Sequence, residues 1–323
     1  MKAMLFAAGY GTRMRPYTDT LPKPALPFMG KPLVAHTLAW LAEYGVNTVV
    51  INLHHKAEIM RQTALQCCPN GMQLHFELEA EILGTGGGLR AATKHFSGEE
   101  AVIVVNGDVF TNADLEAPLR VHRNERPGST LLLTADPQHR ELFGVGLDSH
   151  QRITDFWGHP ESAPPERRCA YTGIHILNPA MLAKLPDNEF ACIKEKGWIP
   201  HLKAGGPLRG VITDADWYDL GTPERYLNAH FEQLDRQKKA RVGRHSTGLD
   251  LPPSTRIGDG LRMEGPARIG PRVCLGQNVT LRGPVELSNC VVWDNSVVEG
   301  TIDHQIITPA VEASDETRGE ALD

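Results

Sequence analysis

The chain has 323 residues, carries a formal net charge of -6 at pH 7 and contains six cysteines. That length exceeds what a single hydrophobic core usually supports, so we expect one large domain and a smaller one. The acidic balance excludes a global basic surface for nucleic acid, so any affinity for phosphate must be local to one site. The cysteines show neither a C-x-x-C pair nor a zinc spacing, and no run reaches the roughly 18 apolar residues of a membrane span. We therefore expect reduced thiols in a cytoplasmic protein that is not resident in a membrane.

The first element is a short apolar strand, predicted from Lys2 to Ala7, which runs straight into a glycine turn. Glycines at positions 9 and 11 let backbone N–H groups come close to phosphate oxygens. Arg13 closes the turn with a planar cation that can grip two oxygens at once, and Lys23 follows between two prolines. The pattern predicts a polyphosphate site. The P-loop motif and the three-glycine dinucleotide fingerprint are both absent from the sequence, which argues against a P-loop ATPase and an NAD enzyme.

Apolar segments alternate in type from residue 1 to about 235, which we predict to be the large domain. Short β-branched runs alternate with amphipathic helical patterns. This alternation predicts an α/β fold, a Rossmann-like, mostly parallel sheet with helices on both faces. The further predicted strands are Thr48 to Asn52, Ala101 to Asn106, Thr130 to Ala135 and Arg152 to Phe156, and the predicted helices are Val34 to Tyr44, Ala57 to Leu65, Gly88 to His95 and one that opens at Pro223.

A different period follows a predicted linker at residues 236–256. Between residues 257 and 302, aliphatic residues recur every six positions, beginning with Ile257, Met263 and Ile269. Such hexads predict a left-handed parallel β-helix, and seven of them make a little over two coils if each coil takes three. A stack this short needs support from elsewhere, so we predict a homo-oligomer, with a dimer favoured. Residues 303–323 are acidic and polar, which predicts a frayed tail.

Two aspartates stand where a metal site is expected. Asp108 follows the strand predicted at 101–106, and Gly107 before it clears space for a ligand. Asp219 precedes a glycine turn at Gly221. Because ligands in such sheets bind at the carboxyl ends of the strands, we expect Asp108 to share an edge with the glycine turn. Magnesium prefers one or two carboxylates together with phosphate oxygens and water, so Mg²⁺ is the predicted cofactor.

Several motifs together resemble those of the sugar-1-phosphate nucleotidyltransferases. They are GYGTRMRP at 9–16, PKP at 22–24, LGTGGG at 83–88, VNGDV at 105–109, YTGI at 171–174 and WYDLGT at 217–222. The resemblance covers roughly residues 1–230. The motifs are most similar to those of the N-acetylmuramate 1-phosphate uridylyltransferases and the mannose-1-phosphate guanylyltransferases. It implies transfer of a nucleotidyl group from UTP or GTP to a sugar 1-phosphate, with Mg²⁺, as in the synthesis of cell-wall or polysaccharide precursors.

The resemblance also implies roles for individual residues. Arg13 and Lys23 would be catalytic, and Asp108 and Asp219 would bind the metal. The nucleotide would be bound by Ala8, Gly9, Gly11, Thr12, Gly84, Thr85, Gly86 and Asn106. The sugar phosphate would be bound by Gly144, Thr172, Gly173 and His159.

One departure from the family pattern concerns the acceptor phosphate. Many members carry Glu-Lys-Pro where this chain has Gly158-His159-Pro160, and the lysine is the residue that usually meets the sugar phosphate. His159 is a candidate to replace it, although a lone loop histidine is more often merely solvated.

Three other functions remain open. The first is a related cytidylyltransferase, in which phosphocholine would replace the sugar 1-phosphate as the acceptor. A regulatory subunit would bind a sugar nucleotide without turnover, although such proteins typically lose the arginine, lysine or aspartates that are present here. The hexads alone would also suit an acyltransferase, but no histidine lies inside them and His304 falls beyond them.

Overall fold

The computed structural model describes residues 1–187, 189–243 and 251–310. These residues form two compact units, which we describe separately. The first unit comprises Met1–Leu26 and Lys31–Thr222, and the second comprises Pro27–Gly30 and the chain from Pro223 onward. Within the described residues, no helix has the length and apolar character needed to cross a membrane.

Strands and helices alternate along the chain from Lys2 to Asp235, where all but β2 and α6 belong to the first unit. Strands β1–β13 are, in chain order, Lys2–Phe6, Pro27–Phe28, Lys31–Pro32, Thr48–Leu53, Gln73–Leu78, Val102–Asn106, Val109–Thr111, Ser129–Thr134, Val145–Leu147, Ile153–Phe156, Arg167–Leu177, Leu208–Ile212 and Trp217–Asp219. Helices α1–α6 are Leu33–Glu43, Ala57–Gln66, Gly84–Ala91, Glu116–Glu125, Ile199–Lys203 and Pro223–Asp235. Short 3-10 segments cover Thr12–Met14, Tyr17–Asp19, Lys23–Ala25, Ala92–Phe96, Pro137–Leu142 and Pro179–Lys184, and a π-helix, Ile193–Trp198, leads into α5.

Nine strands of the first unit form one sheet. Its centre is parallel, in the order β6-β1-β4-β5, and the long strand β11 pairs antiparallel with both β6 and β8. Strand β1 is buried on both faces, with Ala3 and Leu5 in one apolar cluster and Met4 in the other. Both faces therefore exclude water, as a sheet covered by helices requires. The predicted α/β fold with a mostly parallel sheet is confirmed.

Helix α3 differs from its prediction at Gly88 to His95. It begins at Gly84, and the residues from Ala92 to Phe96 form a 3-10 segment. Three consecutive glycines disfavour a helix by propensity, which is why the prediction began it later. A Cβ on Gly87 would come within 2.6 Å of the Glu189 carbonyl oxygen, so close packing explains the glycine inside the helix.

Strands β14–β20 of the second unit stack in parallel. They are Arg241–Val242, Thr255–Ile257, Arg262–Glu264, Ala267–Ile269, Val273–Leu275, Thr280–Val292 and Val297–Ile307. Thr255 pairs with Val273, Arg262 with Thr280 and Ala267 with Val285, so these partners are 18 residues apart. Three hexads therefore make the first coil, which is consistent with the predicted β-helix, and the separation falls to 17 and then 15 residues in the later pairs. The hand of the coil stays a prediction.

The ends of this second unit differ from the predicted domain boundaries. Helix α6 belongs to the second unit, where the Trp293 indole N–H donates to the Tyr226 hydroxyl at 3.2 Å. Strand β14 lies inside the predicted linker, whose residues 244–250 fall outside the described part of the chain. Strand β20 continues to Ile307, because Ile306 extends the buried row of the coil into the predicted tail. Residues 311–323 of that tail lie outside the described residues.

Candidate active site

The glycine turn after β1 is held in place by a buried threonine. Gly11 has a φ of 65°, and its carbonyl accepts a hydrogen bond from the Thr18 hydroxyl at 2.9 Å. A Cβ at Gly11 would lie 2.9 Å from the Thr18 methyl group, so both the backbone angle and the packing demand glycine. The following 3-10 turn buries Met14 and leaves Arg13 exposed. The turn therefore presents a guanidinium from a fixed backbone.

An ion pair joins the segment of Lys23, predicted to be catalytic, to the segment of Asp108, predicted to bind the metal. The Lys23 ammonium lies 2.7 Å from the Asp108 carboxylate, and the Lys23 side chain is only 11% exposed. Gly107 brings the two segments together: its N–H donates to the Phe6 carbonyl at 2.9 Å, and any Cβ there would overlap that oxygen. The predicted shared edge of β1 and β6 is confirmed by their parallel pairing, which sets Phe6 beside Asn106.

Asp219 reaches the same edge through a small second sheet. Strand β13 pairs antiparallel with β7, which sets Asp219 opposite Val109. The Leu220 N–H donates to the Asp108 carbonyl at 3.0 Å. A Cβ on Gly221 would lie 2.7 Å from an Asp219 carboxylate oxygen and 3.1 Å from an Arg13 Nη2 atom, so both side chains converge on this glycine. Two carboxylates and two cations therefore gather at one strand edge.

The glycine run that opens α3 is bonded to the segment that precedes the π-helix. The Gly86 N–H donates to the Ala191 carbonyl at 2.7 Å, and the Ile193 N–H donates to the Thr85 hydroxyl at 3.0 Å. A Cβ on Gly84 would lie 2.7 Å from the same Ala191 oxygen. The predicted base-binding run is thus a helix start that tolerates no side chains on this face.

Two buried polar residues connect these parts and were missed by the sequence analysis. The Asn52 side chain accepts from the Ala7 N–H at 2.8 Å and donates to Glu79 at 2.7 Å. The other Glu79 oxygen accepts from the Leu83 N–H at 2.9 Å. The network ties the end of β1 to the start of α3, and a buried polar network of this kind fixes relative position. A polar residue at the end of the apolar strand Thr48–Leu53 was the signal available in the sequence.

These segments enclose a cavity of about 330 Å³. The structure brings ten of the predicted site residues to its wall: Ala8, Gly9, Gly11, Thr12, Arg13, Lys23, Gly84, Thr85, Asn106 and Asp108. Asn52 and Glu79 also line it. The wall of the cavity therefore carries cations and a carboxylate together with several small residues.

None of the predicted sugar-phosphate residues lines this cavity. Thr172 is fully buried and its hydroxyl donates to the Leu132 carbonyl at 2.8 Å, which gives it a place in the core. Gly173 has a φ of 81°, and a Cβ there would lie 2.9 Å from the Asn106 side chain. Gly144 lies against the Trp157 ring, and His159 is exposed in a turn. Gly173 is thus the member of this set that contacts a wall residue directly.

A sequence model of the family described as nucleotidyl transferase matches residues 2–236 of the chain. The chain belongs to the nucleotidyl transferase family. The match includes the glycine turn, the Lys23–Asp108 pair and Asp219, so the cavity lies wholly inside the part of the chain that carries the family relationship.

Similar proteins cover most of the chain. A UTP–glucose-1-phosphate uridylyltransferase of Synechocystis is 27% identical over 94% of this chain and 82% of its own length. A mannose-1-phosphate guanylyltransferase of Mycobacterium tuberculosis is 27% identical over 92% of this chain and 81% of its own length. The crystal structure of HddC from Yersinia pseudotuberculosis complexed with GMP-PN has a TM-score of 0.59 at 22% identity, covering 71% of this chain and 97% of that one. That likeness supports the fold.

Proposed function

We propose that this nucleotidyltransferase joins the nucleotidyl group of UTP or GTP to a sugar 1-phosphate and releases pyrophosphate. The observation that carries the proposal is the Lys23–Asp108 pair in the wall of a cavity that the Gly11–Arg13 turn also lines. The choice of base and acceptor is supported by the names of the similar proteins, which are uridylyl- and guanylyltransferases for glucose and mannose 1-phosphates.

The reaction needs no protein nucleophile. An oxygen of the sugar phosphate forms a bond to the α-phosphorus, the bond from that phosphorus to the bridging oxygen breaks, and pyrophosphate leaves with the electron pair. Catalysis then consists of in-line positioning and stabilisation of developing negative charge. Arg13 sits on a rigid turn and Lys23 is held by Asp108, so both cations are oriented before substrate binds.

The carboxylates fit a magnesium ion. Asp108 and Asp219 come from adjacent segments, and magnesium needs only one or two carboxylates when phosphate oxygens complete its coordination. We propose that these two residues hold Mg²⁺. When bound, the ion would neutralise charge on the phosphates. Among the described residues no group of three or more acidic, histidine or cysteine side chains forms a metal cluster, so a site here would depend on ligands from the substrate.

The nucleotide base would lie against the start of α3. Gly84 and Thr85 line the cavity there, and the Asn52–Glu79 network fixes that helix relative to the glycine turn. Base recognition of this kind would use backbone groups of Gly84 and Thr85, because the Gly86 N–H is already bonded to the Ala191 carbonyl.

A pyrophosphate-release assay tests the proposal. UTP, GTP, dTTP, CTP and ATP are each combined with glucose, mannose and N-acetylmuramate 1-phosphates and with phosphocholine, with Mg²⁺ and with excess EDTA. We expect release with UTP or GTP and one sugar phosphate, and loss of release in EDTA. Release only with CTP and phosphocholine would assign the related cytidylyltransferase reaction instead. No release by a folded protein that binds a sugar nucleotide would assign a regulatory subunit.

A further inference from the structure

An exposed tryptophan, Trp157, stands at the tip of a tight turn in the first unit. Phe156 and His159 close the turn with reciprocal backbone hydrogen bonds of 2.8 and 3.0 Å. The two residues between them, Trp157 and Gly158, have φ angles of 51° and 80°. Asp155 stabilises the turn because its carboxylate accepts from the Gly158 N–H at 2.6 Å. A bulky residue at positive φ is strained, and Trp157 is nevertheless 56% exposed there.

Gly144 supports the indole of Trp157. The backbone N–H of Trp157 donates to the Gly144 carbonyl at 2.6 Å, which fixes the base of the side chain. A Cβ on Gly144 would overlap the indole ring, so only glycine lets the ring lie at this position. The turn and the glycine together fix a large flat surface at the place where the sequence analysis expects the acceptor.

A lysine lies over this ring. The Lys194 ammonium is 4.9 Å from the centre of the Trp157 ring, within the range of a cation–π interaction. Lys194 lies in the π-helix directly after Ile193, whose N–H is bonded to Thr85 in the cavity wall. Among the residues that the structure describes, no carboxylate forms an ion pair with Lys194. The tryptophan thus orients the ammonium without neutralising it.

The charge of the substrates calls for such a cation. A nucleoside triphosphate and a phosphate monoester together bring more negative charge than Arg13, Lys23 and one Mg²⁺ ion would balance, and Lys23 is already paired with Asp108. Gly158-His159-Pro160 supplies no permanently charged side chain. Lys194 offers an ammonium group next to Ile193, whose N–H is bonded to Thr85 in the cavity wall.

We propose that Lys194 binds the phosphate of the acceptor and that Trp157 is the positioning residue that holds the Lys194 ammonium. The proposal rests on the function proposed above, because it names the acceptor's phosphate as the ligand. Lys194 of the π-helix would then supply the cation for the acceptor phosphate that Gly158-His159-Pro160 lacks. The turn would contribute Trp157, which holds that cation.

Steady-state kinetics of four lysine and histidine variants test this proposal. Lys194→Met removes the charge, Lys194→Arg keeps it, Lys196→Met removes an exposed charge two residues further along the same helix, and His159→Gln removes the competing candidate. The acceptor and nucleotide are the pair found by the pyrophosphate assay. We expect Lys194→Met to raise the KM for the acceptor by roughly 10- to 100-fold, the range for one charge-assisted contact, and to leave the KM for the nucleotide within about twofold. Lys194→Arg should recover most of the loss, Lys196→Met should resemble the wild type, and any rise in the acceptor KM for His159→Gln should be smaller than that for Lys194→Met.

A second pair of variants tests the positioning role. Trp157→Phe keeps an aromatic face, and Trp157→Leu does not. We expect the leucine variant to raise the acceptor KM severalfold, less than Lys194→Met, and the phenylalanine variant to recover part of that loss. In the double variant Lys194→Met/Trp157→Leu, the tryptophan change should raise the acceptor KM little beyond that of Lys194→Met. The reason is that Trp157 acts by holding the Lys194 ammonium, which is already absent.

The outcomes separate the two proposals. If the wild type releases no pyrophosphate with any acceptor, the proposed function fails. If the wild type is active and Lys194→Met leaves the acceptor KM unchanged, the inference about Lys194 is overturned while the function stands. A rise in acceptor KM for His159→Gln alone would assign the phosphate to His159. Equal rises in the nucleotide and acceptor KM for Lys194→Met would show a general disturbance of the cavity and would also overturn the inference.

Discussion

The strand edge of the first unit and the coil of the second unit both carry opposed charges, but they arrange them differently. In the coil, Arg282 pairs with Glu264 on one neighbouring turn at 3.0 Å and with Glu299 on the other at 3.4 Å, and all three side chains are exposed. At the strand edge, Lys23 is mostly buried against Asp108 beside an open cavity. Exposed pairs contribute little to stability, whereas a sheltered cation next to a cavity is poised to meet an anion. The same residue types are therefore exposed surface charges in the coil and candidate functional groups at the strand edge.

Of the substitutions considered, removal of the Asp108 charge should have the largest effect on turnover, and the matched change in the coil should have none. Asp108→Asn is expected to lower turnover by about 1,000-fold or more, because it removes a proposed metal ligand and the partner of Lys23. Its melting temperature should stay within a few degrees of the wild type, because Asp108 is not a core residue. Glu264→Gln makes the matched change in the coil and should leave turnover unchanged. Calorimetry and the pyrophosphate assay measure both properties, and an unfolded Asp108→Asn variant would assign this aspartate a structural role.

Core truncation in the coil should show the opposite pattern. Leu281 is fully buried in the coil, and Leu281→Ala is expected to destabilise the second unit by about 2–5 kcal/mol. The KM for each substrate should not change. Val297→Ala, at an exposed position, serves as the control and should cost less than about 0.5 kcal/mol. Urea unfolding followed by intrinsic fluorescence measures the difference, and a large loss of turnover in folded Leu281→Ala would contradict the division of roles.

Acid should destabilise the first unit through two histidines that lie away from the cavity. Burial lowers the pKa of His122 to about 4 and that of His175 to about 3. Both groups titrate near pH 6.5 when unfolded, so the unfolded state binds protons that the folded state excludes. Stability is therefore full above about pH 6.5 and falls as the pH drops toward 4, by roughly 3 kcal/mol for His122.

Urea midpoints across this pH range measure the effect. His122→Gln should flatten the slope between pH 6.5 and 4, because it removes one of the two buried imidazoles. A wild-type midpoint that stays constant across the range would contradict the burial of both histidines.

The smallest effect is expected at the exposed charges of the coil. Arg282→Ala removes both cross-turn pairs, but water and salt already screen them. The urea midpoint should fall slightly at low ionic strength and match the wild type in high salt. A large, salt-independent decrease would show that the charges hold the coil together and would weaken the contrast with Lys23–Asp108.

The main parts of the candidate site were predictable because they follow strand ends. Gly11, Arg13 and Asp108 stand directly after the strands β1 and β6, and parallel strands bring their carboxyl ends to one edge. The hexad period likewise predicted the 18-residue pairing in the coil, because apolar residues must face its interior.

Contacts between distant segments were not predictable in this way. Asn52 and Glu79 meet because β4 pairs with β5, and a single sequence does not reveal that pairing. The helical start at Gly84 depends on packing against Ala191, which overrides the low helix propensity of glycine. Lys194 meets Trp157 across a gap in sequence that carries no motif. Such contacts are products of tertiary structure.

A crystal structure of the protein with Mg²⁺ and a non-hydrolysable analogue of the triphosphate chosen by the assay tests the central claim most directly. We predict that the triphosphate will lie against the turn from Gly11 to Arg13 and against Lys23, with the base beside Gly84 and Thr85 and the metal between Asp108 and Asp219. A nucleotide bound elsewhere in the molecule, or density for the analogue at the coil with the cavity of the first unit empty, would contradict the account.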